Sequence, residues 1–534
     1  MVLNMEKIFW CDKLVDEILE REEKLEEKSD VFITESGLGA SGIPHIGSAG
    51  DCVRAYMIFL ALKDRGLKSK YYAVSDDRDG LRKVPIGFPK NLEESIGHPV
   101  SNIDDPFGCH RSYGEHMSSL LMDGMEKIGV EFEFISSDDL YKKGVMDKEI
   151  KEILKNHEKA GEIIKRETLQ ERYTEQYPFF VICENCGKIY TTRITDFHND
   201  KVEYVCDESF LGKNSETGEE IRVKGCGYRG ETSIRNGKLQ WKVEFAARWK
   251  ALKINFEAFG KDILDSVKVN DAICREMLNF EPPVHALYEL FVEKSGERIS
   301  KSKGNVFTPQ VWLDYGSPES MRLLMLKRLN YTRVVNLFEI PKHMDEVDRL
   351  ANVYFGEEEI SNERERAHLK RLYEYVCLLK PPEEKPLTVS HYTLIDICNV
   401  IPKKIKNRYE IIKNILLRTK LLPKDFDESE LKKRIEYATN FVEDVGKTKR
   451  EKIELTSLEK KALSIFKEKL TEDMSAEEIQ TLIFETAKEN EIKPRDFFKT
   501  IYRVILGVDQ GPRAGSLIKI IGVERIKEII SEYR

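Results

Sequence analysis

The stretch Val31–Gly47 (VFITESGLGASGIPHIG) places the strongest constraint on how this chain can fold. It begins with Val31–Thr34, a short apolar and β-branched run that is typical of a buried strand. Three glycines follow, and His45 then opens a long helical pattern. Small residues let the backbone approach a ligand, and the first N–H groups of a helix attract anions. The stretch therefore predicts a phosphate site, although an ordinary glycine-rich turn would have the same pattern.

A second strand is predicted shortly downstream. The pattern of residues 45–65 predicts a helix that ends at Gly66, and Lys70–Ser75 (KYYAVS) predicts the strand. Strand, helix and strand in this order indicate a parallel sheet, whose ligands bind at the carboxyl ends of the strands. Three acids follow the second strand directly: Asp76, Asp77 and Asp79. We expect them at the same sheet edge as the glycine-rich loop.

Length and composition limit the class of protein. A chain of 534 residues needs several domains, and 41% hydrophobic with 34% charged residues describes a soluble globular protein. The net charge of −8 means that any nucleic-acid contact depends on a local patch. The beginning of the chain lacks the features of a secretory signal, and no apolar run reaches membrane-spanning length. We expect a cytoplasmic protein without membrane contact.

The changing pattern along the chain predicts an α/β protein with a Rossmann-type catalytic domain interrupted by a zinc-binding insertion. Residues 1–100 form the first half of the nucleotide-binding domain in this prediction, and residues 236–330 form the second half. Residues 101–235 are the insertion, and residues 331–534 form an all-α domain.

Two clusters in the predicted insertion have the residue types that bind metals. The first consists of Cys183, Cys186, Cys206 and Cys226, with His198 as a substitute ligand; it predicts a tetrahedral zinc site, with buried free thiols as the alternative. The second consists of Asp105, Cys109, His110 and His116. Its spacing alone is weak evidence for a metal site, and a hydrogen-bonded core histidine pair is the alternative.

A second phosphate-seeking segment occurs at Arg298–Asn305 (RISKSKGN). Lysine ammonium groups act as point charges on phosphates, and a polar loop can close over a triphosphate as charge develops. By itself the segment could be an ordinary surface loop. Its combination with Pro44–Gly47 (PHIG) is what makes it distinctive.

These two motifs resemble the signatures of class I aminoacyl-tRNA synthetases. Further motifs are most similar to the lysyl members of that class, over essentially the whole chain: SGIPHIGS (41–48), SDDRDGLRKVP (75–85), DPFGCH (105–110), GKLQWKV (237–243) and GPRAG (511–515). The resemblance implies an ATP-dependent ligase that converts L-lysine to lysyl-adenylate. It would then transfer the lysyl group to the 3′ terminal ribose of tRNA(Lys).

The resemblance also implies roles for individual residues. His45 and Lys301 would be catalytic, stabilising the reacting phosphate and the departing pyrophosphate, with Mg²⁺ as counter-ion. The ATP-binding set would be Pro44, His45, Gly47, Ser48, Ser300, Lys301 and Ser302. Ser48 stands where the class commonly has a second histidine.

The lysine pocket has to hold an ammonium group, which needs a carboxylate, an aromatic face or both. Strand-end placement nominates five acids: Glu35, Asp76, Asp77, Asp79 and Glu244. The resemblance implies a lysine-binding set of Gly37, Gly39, Trp241 and Tyr288, to which we add Asp79. Core packing is the alternative for the two aromatic residues. Ile263 stands where the family commonly has histidine.

The resemblance further supports zinc at the Asp105 cluster and makes the C-terminal domain an anticodon-binding domain. Residues 402–420 carry seven basic residues against one acid, so they can follow a phosphate backbone. Residues that could stack on unpaired bases, or simply pack between helices, are Phe497, Phe498, Tyr502, Arg503 and Arg513.

Three other functions compete with this one. A class I synthetase for glutamate, glutamine, arginine or cysteine shares the signatures, but a carboxylate substrate would favour an arginine in the pocket. A tRNA-binding paralogue without catalysis would not need His45 and Lys301. A small adenylyltransferase would not need the long helical C-terminal region.

Overall fold

The computed structural model describes residues 9–292, 307–445 and 453–533, apart from positions 402, 404, 424 and 512. The chain divides into two compact units. The first comprises Met1–Val311, Met321–Asn336 and Ser361–Pro381, and the second comprises Trp312–Ser320, Leu337–Ile360 and Pro382–Arg534. No helix among the described residues is long and apolar enough to cross a membrane.

Strands occur mainly in the first 292 residues. They are β1 (Phe32–Leu38), β2 (Ser69–Ser75), β3 (Lys83–Val84), β4 (Glu133–Ser136), β5 (Phe179–Val181), β6 (Arg193–His198), β7 (Lys201–Val205), β8 (Ser209–Asn214), β9 (Glu220–Lys224), β10 (Arg229–Ser233), β11 (Gly237–Leu239), β12 (Phe256–Gly260), β13 (Val284–Tyr288), β14 (Phe291–Val292) and β15 (Arg333–Val334).

Helices occur throughout the described chain. They are α1 (Trp10–Glu23), α2 (Ile46–Asp64), α3 (Tyr113–Lys127), α4 (Ser137–Lys142), α5 (Asp147–Lys155), α6 (His157–Thr168), α7 (Trp241–Leu252), α8 (Leu264–Glu276), α9 (Pro309–Leu313), α10 (Pro318–Leu326), α11 (Ile340–Phe355), α12 (Glu363–Val376), α13 (His391–Val400), α14 (Arg408–Arg418), α15 (Glu428–Asn440), α16 (Ser457–Lys469), α17 (Ala476–Glu489), α18 (Pro494–Leu506), α19 (Ala514–Ile521) and α20 (Val523–Ser531).

A five-stranded parallel sheet in the order β13-β12-β1-β2-β4 forms the centre of the first unit. The predicted Rossmann-type sheet and the strand–helix–strand order of β1, α2 and β2 are confirmed. β1 is longer than predicted, because Gly37 and Leu38 continue the pairing with Val74 and Ser75 of β2. β4 belongs to this sheet, although its residues fall within the range predicted for the insertion.

The remaining strands of the first unit form small sheets. β10, β7 and β6 form one antiparallel sheet, and β3, β8 and β9 form another in which β3 pairs parallel with β8. Buried side chains from α5 to α8, including Ile153, Ile163, Trp249 and Ile273, pack with Val74 of the parallel sheet in one core.

The second unit is helical throughout its described part, as the sequence predicts. α16 and α17 each begin with a capping box, in which Thr456 pairs with Glu459 and Ser475 pairs with Glu478. α19 crosses α17 very closely: a Cβ on Gly515 would lie 1.9 Å from the Ala476 carbonyl oxygen. This contact gives the GPRAG motif a packing role.

Candidate active site

A pocket of about 250 Å³ lies at the carboxyl ends of β1, β12 and β13 and at the start of α2. Seven of the predicted ATP- and lysine-binding residues line it: Gly37, Gly39, His45, Gly47, Ser48, Trp241 and Tyr288. Pro44 and Asp79 are not among its lining residues. Ile263, at the position where the family commonly has histidine, also lines the pocket.

His45 caps the helix that it opens. Its Nδ1 accepts hydrogen bonds from the backbone N–H of Gly47 at 3.0 Å and of Ser48 at 3.3 Å. In a neutral imidazole that accepts at Nδ1, the proton sits on Nε2. A Cβ on Gly47 would lie 2.7 Å from His45 Cε1, so glycine at this position makes room for the ring.

The second signature, including Ser300, Lys301 and Ser302, lies outside the described residues. The described chain reaches the pocket on one side of this segment and the start of α2 on the other. Phe291 lines the pocket, and the carbonyl oxygen of Phe307 accepts a hydrogen bond from the Ile46 N–H at 2.8 Å.

A charged cluster forms one wall of the pocket; the sequence nominated Glu35 and Asp76 of this cluster but neither Glu257 nor Arg248. Glu35 and Glu257 are paired in register on neighbouring strands, and Asp76 follows the next strand. Arg248 lies among them: its Nε donates to Glu35 Oε1 at 2.5 Å, Nη1 lies 3.6 Å from Asp76 Oδ1 and Nη2 lies 3.7 Å from Glu257 Oε1. Like charges on paired strands are unfavourable, so the guanidinium is needed there.

When its three carboxyl groups are ionised, they outnumber the single guanidinium, and the cluster then has an excess of negative charge. Asp76, Glu257 and Arg248 all line the pocket. Burial raises the pKa of Asp76 to about 7 and that of Glu257 to about 8, although Arg248 opposes both shifts. Within the described part of the chain, Asp76 Oδ1 is buried without a hydrogen-bond partner.

Two of these residues carry signals that a closer search of the sequence could have used. Glu257 is a charged residue inside the otherwise apolar strand Phe256–Gly260. Arg248 follows Trp241 and Phe245 at helical spacing, and all three line the pocket. Asp51 also lines the pocket and was likewise missed.

The other acids after β2 are engaged elsewhere. Lys238, fully buried, forms ion pairs with Asp79 and with Glu244, the latter at 2.9 Å. Asp77 accepts hydrogen bonds from the Ser136 hydroxyl at 2.6 Å and from the Asp138 backbone N–H at 2.9 Å. Of the acids in SDDRD, only Asp76 therefore faces the pocket.

The four cysteines Cys183, Cys186, Cys206 and Cys226 lie together in the first unit. Cys183 Sγ and Cys226 Sγ are 3.7 Å apart, and Cys186 Sγ and Cys206 Sγ are 3.8 Å apart. A tetrahedron of Zn–S bonds of about 2.3 Å has edges of about 3.8 Å, so this cluster is compatible with zinc. His198 is not a member of it; its ring contacts Glu231 at 3.1 Å.

The side chains of the second predicted cluster, Asp105, Cys109, His110 and His116, also lie close together. Cys109 Sγ lies 3.2 Å from Asp105 Oδ2, 3.1 Å from His110 Nδ1 and 3.3 Å from His116 Nδ1. Asp105 also accepts hydrogen bonds from the backbone N–H groups of Phe107, Cys109 and His110. The four side chains present N, O and S donors at spacings that suit a tetrahedral metal ion.

Residues predicted to contact RNA have mixed surroundings in the second unit. Within residues 402–420, Lys403 pairs with Glu443 and Lys413 pairs with Glu428, while Lys406, Arg418 and Lys420 are exposed. Phe497 is completely buried against Phe466 and cannot stack on a base. The other candidates are partly available: Phe498 and Tyr502 are half-buried, Arg503 pairs with Asp509 and Arg513 pairs with Glu477.

Comparisons with known proteins agree with this arrangement. A family model described as tRNA synthetases class I (K) matches residues 8–378, and one described as an anticodon binding domain matches residues 396–532. The chain is 41% identical to a lysine–tRNA ligase of Cenarchaeum symbiosum, over 98% of each chain. It is 33% identical to that of Rickettsia bellii (strain OSU 85-389), covering 95% of this chain and 94% of the relative, and 31% identical to that of Methanocaldococcus jannaschii, covering 96% and 97%.

Proposed function

The chain belongs to the family of class I lysyl-tRNA synthetases, and from that premise we propose how its residues divide the work of joining lysine to tRNA(Lys). The enzyme is a ligase with two half-reactions. In the first, the lysine carboxylate attacks the α-phosphorus of ATP, and pyrophosphate leaves. In the second, a hydroxyl of the 3′ terminal ribose of tRNA attacks the carbonyl carbon, and AMP leaves.

The start of α2 supplies the fixed half of the ATP site. Gly47, Ser48 and Pro44 bring the backbone close to the phosphates, and His45 directs its Nε2–H toward them. Its capping bond, at 3.0 Å from the Gly47 nitrogen, supports this orientation. Lys301, with Ser300 and Ser302, supplies the closing half. Catalysis is mainly positioning and electrostatic stabilisation, since the nucleophile is already a carboxylate. Mg²⁺ bound to ATP would neutralise phosphate charge.

The carboxylate cluster favours a cationic amino acid such as lysine. This is the observation that carries the proposal: Glu35, Asp76 and Glu257 surround one guanidinium, so the pocket wall favours a cation. We assign binding of the lysine ε-ammonium to Asp76 and Glu257. Trp241 and Tyr288 form the aromatic walls of the pocket. Gly37 and Gly39 let the backbone approach the substrate closely. A glutamate or glutamine substrate would find the Arg248 guanidinium already engaged by carboxylates.

Asp79 remains a prediction for lysine binding. Its ion pair with Lys238 supports an indirect role, in which it holds the chain beside Asp76. The two metal clusters would each hold a structural zinc ion, through thiolates in the first and through Asp105, Cys109, His110 and His116 in the second. Structural zinc supplies folding energy rather than chemistry.

The second unit contacts the anticodon arm in this proposal, and the exposed cations of residues 402–420 follow the phosphate backbone. The four domain ranges predicted from the sequence remain part of the proposal. Unit one of the described structure holds the pocket, and unit two holds the region matched by the anticodon-binding model.

Lysine charging by the wild-type chain and its Lys301→Ala variant tests the proposal. Lysine-dependent ATP–pyrophosphate exchange should fall by roughly 10²–10³ in the variant, while tRNA binding survives. Near-normal exchange in Lys301→Ala would contradict the assigned role. Absence of lysine transfer to tRNA by the wild-type enzyme would contradict the function itself.

A further inference from the structure

Arg54 is a completely buried guanidinium behind the pocket. It lies on α2, one turn after Gly50. Its Cζ is 3.9 Å from the centre of the Tyr288 ring and 5.8 Å from the centre of the Phe291 ring, and both rings line the pocket. None of its three nitrogens has a hydrogen-bond partner in the part of the chain that the structure describes.

This arrangement is costly for the fold. Burial lowers the pKa of Arg54 to about 9, and the nearby Asp51 only partly offsets the shift. Burying a charged group without hydrogen bonds is far less favourable than burying an apolar side chain of similar size. A methionine or leucine would avoid this cost, so packing alone does not explain an arginine here.

The helix is shaped to accept the guanidinium. A Cβ on Gly50 would lie 2.5 Å from Arg54 Nη1 and 3.4 Å from its Cζ. Glycine at this position therefore lets the side chain fold back flat along the helix. The flat guanidinium then lies over the ring of Tyr288, and such a contact is strongest when both groups are desolvated.

We propose that Arg54 is a positioning residue for the amino acid pocket, which acts by holding the Tyr288 ring in its place in the pocket wall. Arg54 has no solvent exposure and is not among the residues that line the pocket. It connects the helix that His45 opens to the wall that receives lysine. The inference rests on the proposed function, because it assigns Tyr288 to the lysine pocket.

Arg54→Met, Arg54→Lys, Tyr288→Leu and the double variant Arg54→Met/Tyr288→Leu test the inference by ATP–pyrophosphate exchange. Arg54→Met should raise the KM for lysine by roughly tenfold or more, with a smaller change in the KM for ATP. Arg54→Lys should recover part of the loss, because an ammonium also attracts a ring face. In the Tyr288→Leu background, Arg54→Met should have little further effect on the KM for lysine.

Arg322→Met is the matched control. Arg322 is also a buried arginine of the first unit, but it donates to the carbonyl oxygens of Val376 and Ile128. Its loss should lower the melting temperature without a selective change in the KM for lysine. If Arg54→Met does not fold, the same cycle is measured with Arg54→Lys.

Two outcomes would overturn the inference while leaving the proposed function intact. One is an unchanged KM for lysine in a folded Arg54 variant. The other is full additivity of the Arg54 and Tyr288 effects. Failure of the proposed function would differ from both, because the wild-type enzyme would then show no lysine-dependent exchange.

Discussion

Arg248 Nε donates a hydrogen bond to Glu35 Oε1 at 2.5 Å, and both side chains are almost completely buried. The bond fixes the guanidinium in the middle of three carboxylates. Two of those carboxylates, Asp76 and Glu257, line the pocket. The cluster is therefore a prepared site for one further positive charge.

Neutral variants of the two pocket acids, Asp76 and Glu257, should weaken the binding of lysine but not that of ATP. At a pH of about 9, where both groups are mainly ionised, Asp76→Asn and Glu257→Gln each remove one negative charge. Hydrogen bonds to charged groups contribute about 1.5–3 kcal/mol, or roughly 10- to 100-fold in binding. We expect the KM for lysine to rise by that factor and the KM for ATP to change little. Asp139→Asn, at an exposed position of helix α4, is the control. Equal effects on both substrates would contradict the assignment.

The kcat/KM for lysine should depend on pH in the neutral range. Because the pKa of Asp76 is raised to about 7 and that of Glu257 to about 8, the cluster takes up protons as the pH falls through this range. Protonation removes the charge that attracts the ammonium, so kcat/KM for lysine should rise with pH. A pH profile flat from pH 6 to about 9 would be inconsistent with this cluster as the lysine site.

The metal clusters predict two zinc ions per chain. Elemental analysis should find one fewer zinc in Cys186→Ser and one fewer in Cys109→Ser, with a lower melting temperature in the first case, because zinc binding contributes to folding. Cys274→Ser, which removes a buried thiol outside both clusters, should retain both ions. A chain that folds and melts normally without zinc would refute both sites.

Gly47→Ala should disable the phosphate site without unfolding the helix. A Cβ at this position would lie 2.7 Å from His45 Cε1, so the ring must leave its capping position. We expect adenylate formation to slow by roughly 10²-fold, comparable to the loss of one electrostatic donor. Melting curves serve as the control, since alanine is otherwise favourable inside a helix. Unchanged pyrophosphate exchange would show that His45 does not need this orientation.

The sequence predicted the parts of the fold that local pattern controls. β1, α2 and β2 follow from apolar runs, glycines and helical spacing, and the helical second unit follows in the same way. The cluster of four cysteines could be predicted because cysteine is a typical zinc ligand. Charge pairing depends on register and on contacts distant in sequence, so it was not predicted.

Asp79 and Glu257 illustrate that limit. Strand-end placement could not show that Asp76 faces the pocket and Asp79 does not. Asp79 pairs with Lys238, which lies 159 residues further along the chain. Glu257 stands out in sequence as a charged residue in an apolar strand, but its pairing with Glu35 depends on the register of β1 and β12. Arg54 was missed for a similar reason, since its contact with Tyr288 joins a helix to a distant strand.

The most direct test of the central claim is amino acid-dependent ATP–pyrophosphate exchange measured over a panel of amino acids. The panel contains lysine, arginine, glutamate, glutamine and cysteine, each with and without purified tRNA(Lys). The carboxylate cluster predicts efficient exchange with lysine and little with glutamate, glutamine or cysteine. Arginine is cationic like lysine, so it tests selection by the pocket beyond charge. Exchange that is efficient with glutamate and absent with lysine would contradict the account.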